Sequence, residues 1–203
     1  MGWYDRKIVP KLIEAGCSQK LLMKLRARYV PMAKGKVLEI GVGTGLNLSY
    51  YNKDEVELTA LDPAAELTGR AANRAEELDL PVEMLGVSGE SIPAEDQTFD
   101  SLVCTWTLCS IPNVQSALSE MYRVVKPGGQ FLFIEHGAAP DANIAKWQRR
   151  IEPLWKPLTG GCHLTRKADD LIQEAGFHLN ELESGYLPGP KVASFMTHGI
   201  AVR

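Results

Sequence analysis

Residues 36–62 read KVLEIGVGTGLNLSYYNKDEVELTALD, and this stretch decides the fold. An apolar run of Val37, Leu38 and Ile40 meets three glycines at alternate positions, Gly41, Gly43 and Gly45. A segment of helical character follows over 45–51, and a second apolar run over 56–61 ends in Asp62. Glycines supply left-handed φ values and let the backbone come close to a ligand. The start of a following helix offers unpaired N–H groups. An acid about 20 residues on, at the end of the next strand, suits the two hydroxyls of a ribose. The stretch therefore reads as strand, glycine loop, helix and strand, built to bind a nucleoside.

Outward from this unit, apolar runs alternate with helical segments. Pro63 opens a helix running to about residue 79, a short strand covers 82–86, and 87–98 is a loop holding Gly, Ser and Pro. A strand over Phe99 to Thr105 precedes a helix from Pro112 to Val125. Lys126-Pro127-Gly128-Gly129 reads as its terminator, before a strand over 130–135. A helix over 141–152 gives way to a separate aromatic piece bracketed by Pro153 and Pro157. A loop at 160–166 leads into a helix over 166–175 that Gly176 ends. Strands over 177–184 and 192–202 are joined by a turn-rich link with Gly185, Pro188, Gly189 and Pro190, so one of them runs antiparallel. The pattern predicts an α/β fold: a Rossmann-like, doubly wound, mostly parallel seven-stranded sheet with one antiparallel strand near the C-terminus.

The chain has 203 residues, enough for one α/β domain with a sizeable core. Upstream of the sheet, Trp3, Tyr4, Ile8, Val9, Leu12 and Ile13 predict an amphipathic helix over 3–15, and Leu21, Leu22, Leu25 and Tyr29 a second over 18–30. Residues 1–34 carry eight Lys/Arg against Asp5 and Glu14, a charge of +6. With a net charge of −3 the remainder holds −3 − 6 = −9. An acidic body without a basic stripe argues against nucleic acid, whereas a basic arm can dock on an anionic membrane surface. The four cysteines, Cys17, Cys104, Cys109 and Cys162, show no CxxC pair and no zinc-type spacing. No metal site is expected from them, and reduced intracellular thiols are. No apolar h-region follows MGWYDRK, and no run reaches the ~18 residues of a membrane span. The expectation is a cytoplasmic protein whose residues 1–34 present a solvated helix face, close over the site as a lid, or make peripheral contact with an anionic membrane.

The spacing Gly41-x-Gly43-x-Gly45 is not the Gly-x-Gly-x-x-Gly of dinucleotide sites, and no Gly-Lys-Ser/Thr marks a P-loop. Glu39 before it, Asp62 after the second strand, Phe99-Asp100-Ser101-Leu102-Val103 and Arg123-Val124-Val125-Lys126-Pro127-Gly128-Gly129 stand in register with it. Together, across residues 35–136, these resemble the class I S-adenosylmethionine-dependent methyltransferases. The resemblance implies S-adenosyl-L-methionine as cofactor. It implies that Gly41, Gly43 and Gly45 approach the adenosyl and methionine parts, and that Glu39 orients the loop or meets the methionine amine. Asp62 would accept the ribose hydroxyls, with Pro63 and Ala64 flanking the adenine. Ser88, Gly89 and Glu90 lie where many relatives bind the adenine amine with an Asp, here replaced by Ser88. Thr105 would lie near the methionine part.

The second half narrows the resemblance. Cys104-Thr-Trp-Thr-Leu-Cys109-Ser-Ile, Phe133-Ile-Glu135-His136-Gly137, Trp147-Gln148 and Gly161-Cys162-His163-Leu164-Thr165-Arg166 look like the alkyl-thiol S-methyltransferases and their bacterial phospholipid and quinone methyltransferase relatives. The organisation this implies is one domain over 1–203. It comprises a helical arm or lid over 1–34, a cofactor-binding core over 35–136, and substrate-side helices with a C-terminal hairpin over 137–203. His136, with Glu135 beside it, is the leading candidate base at the carboxyl edge of the sheet, and His163 is a second. Arg166 either binds a substrate anion or caps loop carbonyls. Cys109, Cys162, Trp106, Trp147 and Trp155 either line an apolar pocket or fill core. A thiol is already a few per cent thiolate near neutrality and needs little base help, whereas a quinol carbon needs a phenol proton removed. The expected reaction is methyl transfer to a small or amphipathic, lipid-like acceptor, with a thiol favoured. The alternatives are N-methylation of phosphatidylethanolamine, C-methylation of a quinone precursor, or a non-enzymatic cofactor sensor or subunit.

Overall fold

The computed structural model describes Glu14 and residues 16–203. The helix expected over 3–15 lies outside the described residues apart from Glu14. Among the described residues seven strands form one sheet: β1 Gly35–Ile40, β2 Val56–Leu61, β3 Val82–Leu85, β4 Phe99–Thr105, β5 Val125–His136, β6 His178–Tyr186 and β7 Phe195–Val202. Their order is β3-β2-β1-β4-β5-β7-β6. The first five pair in parallel. β7 lies antiparallel to both β5 and β6, so it is the one reversed strand, and β6 points with the first five. The helices are α1 Lys20–Tyr29, α2 Ala65–Glu77, α3 Val114–Val124, α4 Ala142–Leu158, α5 Ala168–Glu174 and the single turn α6 Lys191–Ser194.

The near-continuous apolar runs follow from burial on both faces. Alternate residues of each strand enter opposite layers. Leu38, Ile40, Leu102, Cys104, Phe131 and Phe133 join one cluster with α3 and α5. Val37, Val103, Leu132 and Ile134 join the other, with Tyr29 at the end of α1 and Ala71 and Ala75 of α2. In α3 the buried residues Val114, Ala117, Leu118, Met121 and Val124 fall on one stripe, and the Asn113 side chain caps its start by accepting from Ser116 N–H.

Strand order reverses between β1 and β4, and in such sheets ligands bind outside the carboxyl ends at this crevice. The glycine loop leaves β1 here, and residues 106–113 leave β4.

Three elements differ from the sequence expectation. No α-helix follows the glycine loop. Residues 42–51 instead turn through successive i to i+3 bonds, from Gly45 N–H to Val42, Leu48 to Gly45, Tyr50 to Asn47 and Tyr51 to Leu48, ending in a 3₁₀ turn, Leu48–Tyr50. The side chains of Asn47 and Tyr51 are drawn inward to Glu39, which holds the tighter winding. Secondly, α4 runs unbroken through Pro153 and Pro157. Arg149 and Pro153, whose carbonyls those prolines leave without an N–H, lie on the exposed side, where water can take the bonds. Thirdly, Lys126 to Gly129 stays within β5, whose pairing with β4 shifts register between Phe99 and Ser101.

Gln148 anchors α4 to the sheet edge. Its buried amide accepts from Ala139 N–H at 2.9 Å and donates to the carbonyls of Gly137 at 3.0 Å and Val192 at 3.1 Å. Gln148→Leu strands these groups and is expected to lower the unfolding free energy by roughly 2–4 kcal/mol. Urea denaturation measures this. A change below about 1 kcal/mol would show that the amide is not the anchor.

Candidate active site

The site begins with a buried acid. Glu39, on β1, accepts from Asn47 Nδ2 at 2.9 Å through Oε1 and from Tyr51 hydroxyl at 2.8 Å through Oε2. Asn47 Nδ2 also reaches Thr105 Oγ1 at 3.1 Å, tying β1 to the end of β4. Burial pushes the Glu39 carboxyl up to about 7, against the Tyr51 and Asn47 hydrogen bonds and the charge of Arg26, which favour the ionised form. Of its two expected roles, orienting the loop is the one its contacts display.

The glycine loop is fixed from two sides. Gly41 has φ +72°, and a Cβ there would stand 2.3 Å from the Thr107 side chain. Gly43 has φ +55°, with open space where its side chain would be. Gly45, at φ +80°, passes against Leu48 and Ala71. Asp62 is buried and accepts from Gly43 N–H at 3.1 Å and from Ala64 N–H at 2.9 Å. One oxygen of Asp62 thus shapes the loop and the other turns the chain into α2 past exposed Pro63. A carboxylate has about four acceptor sites, so each oxygen keeps one for a ligand. Ser88 and Glu90 pair with each other at 3.1 Å around buried Gly89, and Glu90 also accepts from Asn113 N–H. These two polar side chains hold their own loop to the start of α3.

Beyond β4, Trp106 adopts φ +53°, a left-handed conformation that costs a non-glycine residue about 1–2 kcal/mol. It is held there because Trp106 N–H donates to Ile134 O at 2.7 Å. Thr107 and Leu108 N–H then donate to Glu135 Oε1 at 2.8 and 2.9 Å. Glu135 is buried, which raises its carboxyl to about 6 against those two backbone bonds. Its Oε2 has no partner among the described residues. Over the Trp106 ring, 4.3 Å from its centroid, lies the guanidinium of Arg26 on α1. Arg26 is only 4% exposed, yet its Nε and Nη1 have no partner among the described residues.

The two histidines are both engaged. His136 Nε2 stands 2.7 Å from Cys162 Sγ, so it is not an open base. His163 Nδ1 contacts Glu152 Oε1 at 3.2 Å. Arg166 binds the carbonyls of Leu108, Ile111 and Pro112, so it is a loop cap. Sequence reasoning missed Arg26, Asn47 and Tyr51. Their only signal was polar character, which does not distinguish them from solvated neighbours. Sequence spacing gave no sign that Cys109, His136 and Cys162 place their ligand atoms within 4.8 Å of one another. No helix of the described residues is long and apolar enough to cross a membrane.

Residues 38–133 match the family model described as a methyltransferase domain. Human thiol S-methyltransferase TMT1A is 32% identical over 175 residues, covering 83% of this chain and 70% of its own length. The chain belongs to the S-adenosylmethionine-dependent methyltransferases. Rat thiol S-methyltransferase TMT1B is 38% identical over 151 residues, 72% of this chain and 62% of its own. A phosphatidylethanolamine N-methyltransferase of Cereibacter sphaeroides is 33% identical over 127 residues, 62% of each chain. The chain thus spans about three fifths to seven tenths of these relatives' lengths. In fold it is similar to a SAM-dependent methyltransferase from Aquifex aeolicus, with TM-score 0.65, 19% identity and coverage of 95% of this chain and 98% of that one.

The residues at the crevice fit the family's methyl donor. Open space at Gly43 leaves room against the loop, Asp62 retains acceptor capacity, and buried Arg26 has two nitrogens, Nε and Nη1, without a hydrogen-bond partner among the described residues.

Glu39 also sets a pH dependence. An acid raised in the folded state binds its proton more tightly there, so its contribution is most favourable below the ordinary value of 4.5. That contribution is lost as pH rises to about 7. From this group stability falls by up to roughly 3 kcal/mol across that window. Glu39→Gln should remove that slope, leaving the smaller one of Glu135, which ends near pH 6. Thermal melts of both proteins from pH 4.5 to 8 measure this, and parallel curves would refute it.

Proposed function

We propose that this protein transfers the methyl group of S-adenosylmethionine to the sulfur of a small or amphipathic thiol. The observation that carries the reading is the state of the bases. His136 is held by Cys162, His163 by Glu152, and one Glu135 oxygen by two backbone N–H groups. Such a site suits an acceptor that needs little help in losing its proton. The thiol-specific relatives support sulfur over nitrogen.

Bound S-adenosylmethionine supplies an electrophilic methyl on a sulfonium. The chain's own work is alignment, exclusion of water and placement of charge. Gly41, Gly43 and Gly45 carry the backbone past the cofactor, while Asp62 accepts from the ribose hydroxyls. Glu39 holds the loop through Asn47 and Tyr51, with Thr105 beside the methionine part. Arg26 would meet the methionine carboxylate, an acceptor for its unpartnered Nε and Nη1. Trp106, strained and stacked under Arg26, walls the methionine end.

Two variants test the cofactor assignments by calorimetry. Asp62→Ala should weaken cofactor binding at least about tenfold, ~1.4 kcal/mol. Arg26→Met should weaken it as much, with thermal melts confirming that the free variant is folded at the assay temperature. Unchanged affinity in either sinks that assignment. For the acceptor, labelled S-adenosylmethionine and a panel of alkyl thiols, phosphatidylethanolamine and quinol precursors decide. Thiol turnover is expected, and turnover of amine or quinol without thiol would overturn the reading.

A further inference from the structure

Two loops and the end of a strand bring their sulfur and nitrogen ligands to one point. Cys109 comes from the chain beyond β4, His136 from the end of β5, and Cys162 from the loop after α4. Their ligand atoms lie within 4.8 Å of one another, and both cysteines are buried. Backbone bonds independent of these side chains hold the loops together: His163 N–H to Cys109 O at 2.8 Å, and Ala138 N–H to Arg166 O at 2.8 Å. Arg166 adds its bonds to the carbonyls of Leu108, Ile111 and Pro112. The cluster is therefore assembled before any ligand arrives.

We propose that Cys109, His136 and Cys162 bind one divalent cation of the zinc class, with the fourth position open to the sulfur of the acceptor. Two thiolates and an imidazole are a soft donor set suited to zinc. Two ligands of one tetrahedral zinc stand about 3.6–3.8 Å apart, so the three atoms need shift by only about 1 Å. Among the described residues no fourth His, Cys, Asp or Glu joins the cluster at that spacing. Three protein ligands and an open position are the pattern of catalytic rather than structural zinc. His136 is the one ligand of the three that is partly exposed. The site also adjoins the cofactor loop, because Thr107, two residues before Cys109, donates to Gly41 O at 3.5 Å.

The role in catalysis rests on the thiol reading above. An entering thiol gives its proton to water and binds as thiolate. Its sulfur forms a new bond to the methyl carbon while the carbon's bond to the sulfonium breaks, and that electron pair stays on the cofactor sulfur. The neutral thioether product is a weak ligand and leaves.

The experiment uses the full chain, reduced and stripped with chelator, then titrated with cobalt(II) as a spectroscopic stand-in for zinc. One cobalt per chain is expected, with a thiolate-to-cobalt charge-transfer band. Cys109→Ser and Cys162→Ser should weaken binding roughly a hundredfold or more, while calorimetric cofactor binding by the same variants shows that they are folded. No band in wild type, an undiminished band in these variants, or quantitative Cys109–Cys162 disulfide that reduction does not convert to a metal site overturns the cation assignment. Loss of metal in Cys17→Ser would make the site four-ligand and closed, overturning the open position. Addition of an alkyl thiol should shift the cobalt d–d bands, and an indifferent spectrum also overturns the open position. A protein that binds metal and thiol as stated yet methylates only amines or quinols would leave the site standing and sink the thiol reading instead.

Discussion

A sheet buried on both faces delivers the carboxyl ends of its parallel strands to one edge, where the chain must turn without helix or ladder to satisfy its backbone. Two buried carboxylates solve this problem from opposite faces of the sheet. Glu39 shares a face with Val37, and Glu135 shares the other with Phe133. Glu39 gathers Asn47 and Tyr51 and so winds the segment behind the glycine loop. Glu135 takes the N–H groups of Thr107 and Leu108 and so fixes the chain beyond β4. The geometry of the crevice depends on both acids, and burial raises both.

Between them stands Trp106, whose left-handed backbone persists because its neighbours over-determine it. The indole in turn gives Arg26 a face to lie on. This couples α1 to the crevice. The same helix reaches the β7–β6 edge of the sheet through Tyr29 hydroxyl to His198 Nδ1 at 2.9 Å and through the Arg28–Glu183 ion pair. That pair is exposed and contributes little. The stack and the buried tyrosine are the attachments that position Arg26.

Family and reaction separate along the chain. The glycine loop, Asp62 and the carboxyl ends of β4 and β5 meet at one edge, inside the stretch 38–133 that matches the methyltransferase domain model. The segments over 104–110, 135–136 and 160–166 lie beside that edge and carry the side chains on which the thiol proposal rests. In this protein those segments spend their histidines on a cysteine and a glutamate, and their arginine on loop carbonyls. The result is a set of soft ligands rather than a free base.

The order of apolar runs, the Gly-x-Gly-x-Gly loop and Asp62 are local patterns, set by backbone sterics and strand periodicity. The sequence alone therefore determined the sheet and its single reversed strand, and its motifs in register, by their resemblance, the family. It could not foresee that 45–51 would wind as turns rather than helix, because the deciding bonds run from Asn47 and Tyr51 to a carboxylate on another element. Nor could it foresee Arg26, whose meaning comes from burial against Trp106 eighty residues away. The union of Cys109, His136 and Cys162 was equally hidden. Their spacing along the chain carries no motif, and only the convergence of two loops with the end of β5 makes them neighbours.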